Sequence, residues 1–237
     1  DAENPFDINL TGMGGCLTAP VVTTNGNAGA GTLRQAVIDA CPGATITFAG
    51  SVVSPISLST GQITIDKDLT IDGPATALTV QNTQASGATS RVFLINSGIT
   101  ATIQDLTISG GNTTSGNNGA GILNNGTTLN LTNLTMSNNV AALGAQGGAL
   151  YTSGGTVNIN GVTMSNNTAA NGGGMWVDNG TVNIDSSFLR GNLSVAGGGG
   201  GILITNGGNV IATNTTIGGT SVAQGNKAVN AGGVYVA

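Results

Sequence analysis

Apolar residues alternate with Thr, Asn and Ser over short stretches, as at Val157 and Ile159 or Val182 and Ile184, and Gly or Asn interrupts each stretch after a few residues. A period of two with Val, Ile and Thr dominant predicts half-buried β-strands. The pattern recurs along the chain. Ile108, Met136, Met164, Leu189 and Ile217 form one apolar column with spacings of 28, 28, 25 and 28 residues. Ile122, Leu150, Met175, Ile202 and Val234 form a second, spaced 28, 25, 27 and 32. Insertions therefore fall in loops, after the asparagines and before the glycines. Repetition at this period predicts a stack of identical units.

A unit of two or three short strands must bury its apolar columns, and coiling the chain so that like columns stack does so with parallel pairing. The expected fold is an all-β, single-domain parallel β-helix over residues 45–237, with about six full coils and partial ones at the ends. At about 4.8 Å per rung this is a rod of roughly 30–40 Å. Residues 1–44 are expected to form an arm and a cap. Thr32 is a plausible N-cap, and Leu33, Ala36, Val37 and Ala40 have the spacing of a short amphipathic helix ended by Pro42-Gly43. Such a helix would cover the first rung. The C-terminal edge at Val236-Ala237 falls in mid-strand by the repeat pattern, and an open edge there could accept a strand from another copy, with residues 1–15 as the arm that a neighbour binds.

Charge narrows the partners. Charged residues are 6% of the chain, five basic against ten acidic, for a net charge of −5; globular proteins carry about 25%. Arg34, Lys67, Arg91, Arg190 and Lys227 are too few to track phosphates, so nucleic acid is not an expected partner. No apolar run reaches the roughly 20 residues that span a bilayer, so membrane insertion by this segment is not expected either. The chain has two cysteines and no histidine. Cys16 and Cys41 are best read as a disulfide across the cap, which implies a secreted or cell-surface location.

Gly147-Gly148-Ala149-Leu150-Tyr151 resembles the GGA[ILV] motif of the polymorphic outer-membrane protein repeats found in autotransporter passenger domains. Met136-x-x-Asn139, Met164-x-x-Asn167 and Leu189-x-x-Asn192 resemble the FxxN motif of the same repeats, with Met or Leu in the Phe position. The stretch Gly31-Thr32-Leu33-Arg34-Gln35-Ala36-Val37 and the following Thr45-Ile46-Thr47-Phe48 are similar to the GSLRQAI…DTITF opening of many bacterial surface β-helix proteins. The resemblance runs over about residues 31–237. It implies a right-handed, pectate-lyase-like helix exported to a bacterial surface, with adhesion as its commonest role.

Three groups of residues could carry chemistry. Tyr151, Trp176, Leu203 and Tyr235, with Leu123, each follow an anchor by one position and so face outward. They form either a self-stacking ladder covered by a loop such as 140–147 or 193–199, or a platform for sugar rings or a partner protein. Asp66, Asp68 and Asp105, with Asp72, could hold calcium or supply the acid and base of a polysaccharide lyase or hydrolase, Asp105 aligning with Asp68 one coil later. No other cofactor is expected. A lyase also needs a base and a cation, for which only Lys67 and Arg91 are nearby, and Lys67 alternates to the other face from Asp66 and Asp68. Asn139, Asn167 and Asn192 recur at one turn and read as a structural ladder. The column Thr102, Asn130, Asn158, Asn183 and Ile211 lacks the threonines that an ice-binding face wants. The function expected is a structural or adhesive surface module without enzymatic activity, able to bind itself, glycans or surface proteins; the alternative is a polysaccharide-binding module or polysaccharide lyase or hydrolase using a groove along the helix.

Overall fold

The computed structural model describes residues 15–75, 77–87, 90–219, 221 and 224–237. It is a right-handed parallel β-helix of about eight turns. A representative coil runs through Ile122–Asn124, Thr128–Thr132, Thr135–Ser137 and Val140–Ala141. These strands belong in turn to a seven-stranded sheet that carries the aromatic residues, an eight-stranded sheet, a seven-stranded sheet that carries the methionines, and a four-stranded sheet. Every pairing is with the coil before or after, and in register. Met136 lies between Ile108 and Met164, and Leu150 between Ile122 and Met175. Both predicted columns are therefore core columns, fully buried at these positions.

The corners explain the asparagines and glycines. Between the eight-stranded and the methionine sheet, Asp105, Asn133, Ser186 and Asn214 have positive φ, and Gly161 takes the same conformation in that column. Asn138 and Asn166 do so at the next corner. A left-handed residue turns the strand sharply, and short polar side chains tolerate it better than branched ones. Inside, each coil contributes apolar side chains such as Ile103, Leu131, Ile159 and Ile184 to one continuous core. Burying each contributes roughly 1.5–3 kcal/mol.

The cap is a helix at Leu33–Asp39, with Thr32 accepting a hydrogen bond from the Gln35 backbone N–H. Leu33, Ala36 and Val37 are buried. Two cations hold it to the first coils. Arg34 donates to the Gly61 and Gln62 carbonyls, both at 2.6 Å. Lys67 Nζ donates to the Ile38 carbonyl at 3.0 Å and to that of Val37 at 3.3 Å, at the helix C-terminus, where a positive charge is favoured. Cys16 and Cys41 form a disulfide across 25 residues. In the chain-entropy picture a loop of that size contributes about 3 kcal/mol.

Val21–Val22 pairs with Thr47–Phe48, and Leu17 bridges Ala40, so the eight-stranded sheet begins inside the segment read as arm and cap. That strand is two valines, so its sequence carries no alternation of apolar and polar residues. Counted from this strand the helix has about eight turns, against six full coils with partial ones at the ends expected from residue 45. At the other end, Asn209–Thr213 and Val234–Val236 make the final rung and are largely exposed. The proposed assembly arm, residues 1–15, lies outside the described residues apart from Gly15.

Candidate binding face

The aromatic sheet assembles the predicted outward column. Leu123 pairs with Tyr151, Tyr151 with Trp176, Trp176 with Leu203, and Leu203 with Tyr235. Tyr151 and Trp176 have ring centroids 6.0 Å apart at an interplanar angle of 56°, a tilted aromatic pair of a favourable kind. Their polar edges are tied down. Trp176 Nε1 donates to Thr205 Oγ1 at 2.7 Å, and the Tyr151 hydroxyl donates to Asp178 Oδ2 at 2.8 Å. Thr205 and Asn206 both donate to Asp178 Oδ1. One carboxylate thus holds the Tyr151 hydroxyl directly and the Trp176 ring through Thr205.

The column is less open than its sequence pattern suggests. Tyr151, Trp176 and Tyr235 are half-buried and Leu203 is only 4% exposed, so Leu203 offers no contact surface. The loop before the strand Ile202–Thr205 accounts for part of this cover. Gly198 lies so close to the Tyr235 ring that a Cβ there would stand 2.4 Å from it. Loop glycines therefore pack against these side chains while leaving the three rings half-buried.

A second row runs beside the rings and has no counterpart in the sequence reading. Asn118 Oδ1 accepts from the Gln146 N–H at 2.9 Å, and Gln146 Oε1 accepts from Asn171 Nδ2 at 3.0 Å. Gly147 and Gly172, which follow Gln146 and Asn171, pack against Tyr151 and Trp176. Carboxamides with further donors and acceptors therefore flank the aromatic pair.

The charge of this face is steady over a wide pH range. Burial, then the Asp178 carboxylate that accepts its hydroxyl proton, pushes Tyr151 above the ordinary tyrosine range. Partial burial alone would raise Asp178, but hydrogen bonds from Asn206, Tyr151 and Thr205 outweigh it and hold the carboxyl below its usual range. A raised tyrosine favours the fold below the usual tyrosine range and loses that contribution as pH rises; a depressed carboxyl favours it above the usual carboxylate range and loses it as pH falls. Between them, from roughly pH 5 to 9, neither group titrates. In a Tyr235→Phe variant, spectrophotometric titration should show Tyr151 ionising above the ordinary range, and adding Asp178→Asn should bring it down. Ionisation unmoved by that second change would mean that the carboxylate does not hold the hydroxyl.

The acidic residues do not come together. Asp68 Oδ1 accepts from the Thr100 N–H, Asp72 Oδ1 accepts from Gln104 Nε2, and Asp105 Oδ1 accepts from Asn133 Nδ2. Asp66 pairs with Lys67 at 3.6 Å. Leu69 pairs with Ala101, so Asp105 sits at the corner after its strand, at the opposite end of the sheet from Asp68. The expected alignment of Asp68 with Asp105 is therefore wrong, and among the described residues Asp66, Asp68 and Asp105 form no metal-binding group. Nor are the two cations idle. Lys67 caps the helix, and the Arg91 guanidinium, buried, donates to Gln62 Oε1 and the Asn118 carbonyl.

The asparagine ladder is present and wholly internal. Asn139, Asn167 and Asn192 are fully buried; each donates Nδ2 to a carbonyl of the preceding coil and to Oδ1 of the next asparagine. It continues to Asn226, which the period of the repeat did not reveal. It binds coil to coil and leaves nothing for a ligand. No family model matches the chain, no curated protein matches it, and no solved structure matches it.

Proposed function

We propose that the chain is an extracytoplasmic structural and adhesive β-helix module that holds glycans on its aromatic face. The observation that carries this reading is the Tyr151–Trp176 pair, whose polar edges are bonded within the fold while the rings remain half-exposed between coils. Rings held in this way meet a sugar with little rotamer freedom left to lose. The flanking Asn118, Gln146 and Asn171 carboxamides offer the donors and acceptors that hydroxyls need. The disulfide suits an oxidising compartment, and among the described residues no helix is long and apolar enough to cross a membrane. The resemblance to bacterial surface repeats points the same way. Binding rather than catalysis is proposed because the carboxylates at Asp68, Asp72, Asp105, Asp178 and Asp185 are each engaged by neighbours as hydrogen-bond anchors.

A glycan array followed by titration of the strongest ligand tests this. Trp176→Ala is expected to weaken that ligand by about 30-fold, the scale of an aromatic hot spot of 2 kcal/mol. Its circular dichroism should stay that of the parent, and Trp176→Phe should recover part of the affinity. An array without ligands, or a Trp176→Ala protein that binds unchanged, would end the proposal.

A further inference from the structure

A concavity lies on another face. The outer surface of the eight-stranded sheet carries an open groove of about 420 Å³ between Asn130, Asn158, Asn183, Asp185, Ile211 and Thr213, among others, within the size range of ligand pockets. Its floor is an exterior ladder. Asn130 Nδ2 donates to Thr102 Oγ1, Asn158 Nδ2 to Asn130 Oδ1, and Asn183 Nδ2 to Asn158 Oδ1. Unlike the interior asparagines, these are half-buried. A carboxamide has two N–H groups and two lone pairs, so each rung keeps bonding capacity toward solvent.

The ladder stops at a defined place. Ile211 pairs with Asn183 where the next carboxamide would stand, and it is 52% exposed. Among the described residues, Asn183 Oδ1 accepts no hydrogen bond. An apolar step therefore adjoins an open acceptor. The rim beside it is Asp185, which accepts from Thr213 and Asn214 on one oxygen and from Asn160 and Ser186 on the other. Four bonds fill the acceptor sites of a carboxylate, so it needs no cation, yet its charge repels an anion. Hydrogen bonds from Thr213, Ser186 and Asn214 hold it ionised, below the usual carboxylate range. No Lys or Arg lines the concavity.

We infer that this groove is a second binding site, for a neutral polysaccharide strand that lays a C–H face on Ile211, donates a hydroxyl to Asn183 Oδ1 and exchanges hydrogen bonds with the carboxamide rungs. Hydroxyls that both donate and accept match carboxamides that do the same, and a neutral chain avoids the Asp185 charge. A peptide strand fits less well, because this sheet's backbone groups are already paired coil to coil. The site lies on a different sheet from Tyr151 and Trp176 and does not rest on the proposal made for them.

The test is nuclear magnetic resonance of the full, nitrogen-labelled chain, reading the side-chain amide signals of Asn130, Asn158 and Asn183. The probes are β-1,4-linked gluco-, manno- and xylohexaose, with hexagalacturonate as the anionic comparison. At least one neutral hexasaccharide should shift these signals and hexagalacturonate should not. Ile211→Asn, which extends the ladder and removes the apolar step at an exposed position, should weaken that ligand by about tenfold or more with an unchanged melting temperature. Three results overturn the site: no neutral probe shifting the three asparagines, hexagalacturonate shifting them as strongly, or Ile211→Asn binding as the parent does. Shifts confined to the aromatic face would likewise remove the groove and leave the aromatic reading intact.

Discussion

Replacing Asn167 with leucine is expected to lower stability by about 4–6 kcal/mol, although the two side chains are close in size and the site is fully buried. The substitution deletes four hydrogen bonds. Asn167 Nδ2 donates to the Met136 carbonyl at 2.9 Å and to Asn192 Oδ1 at 3.0 Å, and its Oδ1 accepts from both the backbone and the side-chain N–H of Asn139 at 3.0 Å. Leucine leaves those Asn139 donors facing apolar atoms with no water in reach, and each unsatisfied buried group costs about 1–3 kcal/mol. At this chain length that is a fall in melting temperature on the order of 10–20 °C. Asn158→Leu is the internal comparison. Asn158 stands in a ladder of the same spacing, with side-chain bonds of 2.9 Å, but on the half-exposed outer face. Water can replace what is lost there, and the expected cost is below about 1 kcal/mol. Thermal melts of both variants decide it. Equal losses would show that burial is not what gives the inner ladder its weight.

The inner ladder was legible as far as the period held. Asn139, Asn167 and Asn192 follow their core anchors by three residues, but Asn226 follows Asn192 by 34, because an insertion separates it from Ile217. A count along the chain cannot cross such an insertion, whereas a stack of coils can, since Asn226 resumes the register of the ladder beneath Asn192. The Asp68 and Asp105 error has the opposite origin. The tetrapeptide DLTI occurs at both sites, and alternation alone says that a strand follows without saying in which sheet. The first copy lies in the eight-stranded sheet and the second in the methionine sheet. Two residues with identical neighbours thus sit at different corners.

The faces show the same limit. That Tyr151, Trp176 and Tyr235 point outward follows from alternation, but the burial of Leu203 in the same column does not, because alternation says nothing of what packs over an outward side chain. The exterior groove is only half legible, for another reason. The repeat aligns Asn183 with Ile211 in one column, but the hydrogen bonds that run rung to rung and the exposure of Ile211 beside them belong to the folded stack. Strand pattern and core are local properties repeated many times. A binding face is a property of several coils at once.

The closeness of the coils makes the second large prediction. Gly173→Ala is expected to cost about 3–5 kcal/mol, though it adds a single methyl group and the glycine does not need a left-handed backbone. A Cβ at residue 173 would lie 2.5 Å from the carbonyl carbon and oxygen of Leu193 and 2.6 Å from its nitrogen, all backbone atoms of the next coil. No rotamer relieves a backbone contact. The two coils must part, and their separation strains the bonds from Gly173 N–H to the Gly199 carbonyl and from Leu193 N–H to the Asn167 carbonyl. The second of these joins the coil at the buried ladder, so damage at the glycine is expected to reach it. Gly50→Ala provides the contrast: nothing lies within 4 Å of its Cβ position and its φ is not left-handed. There the lost backbone freedom of the unfolded chain should leave stability unchanged or raise it by about 0.4–1 kcal/mol. Denaturant titrations of the two variants separate steric from entropic effects. A Gly173→Ala protein as stable as the Gly50→Ala one would mean that the coils can separate locally without cost, and the glycines ahead of each aromatic strand would then need another explanation than close approach.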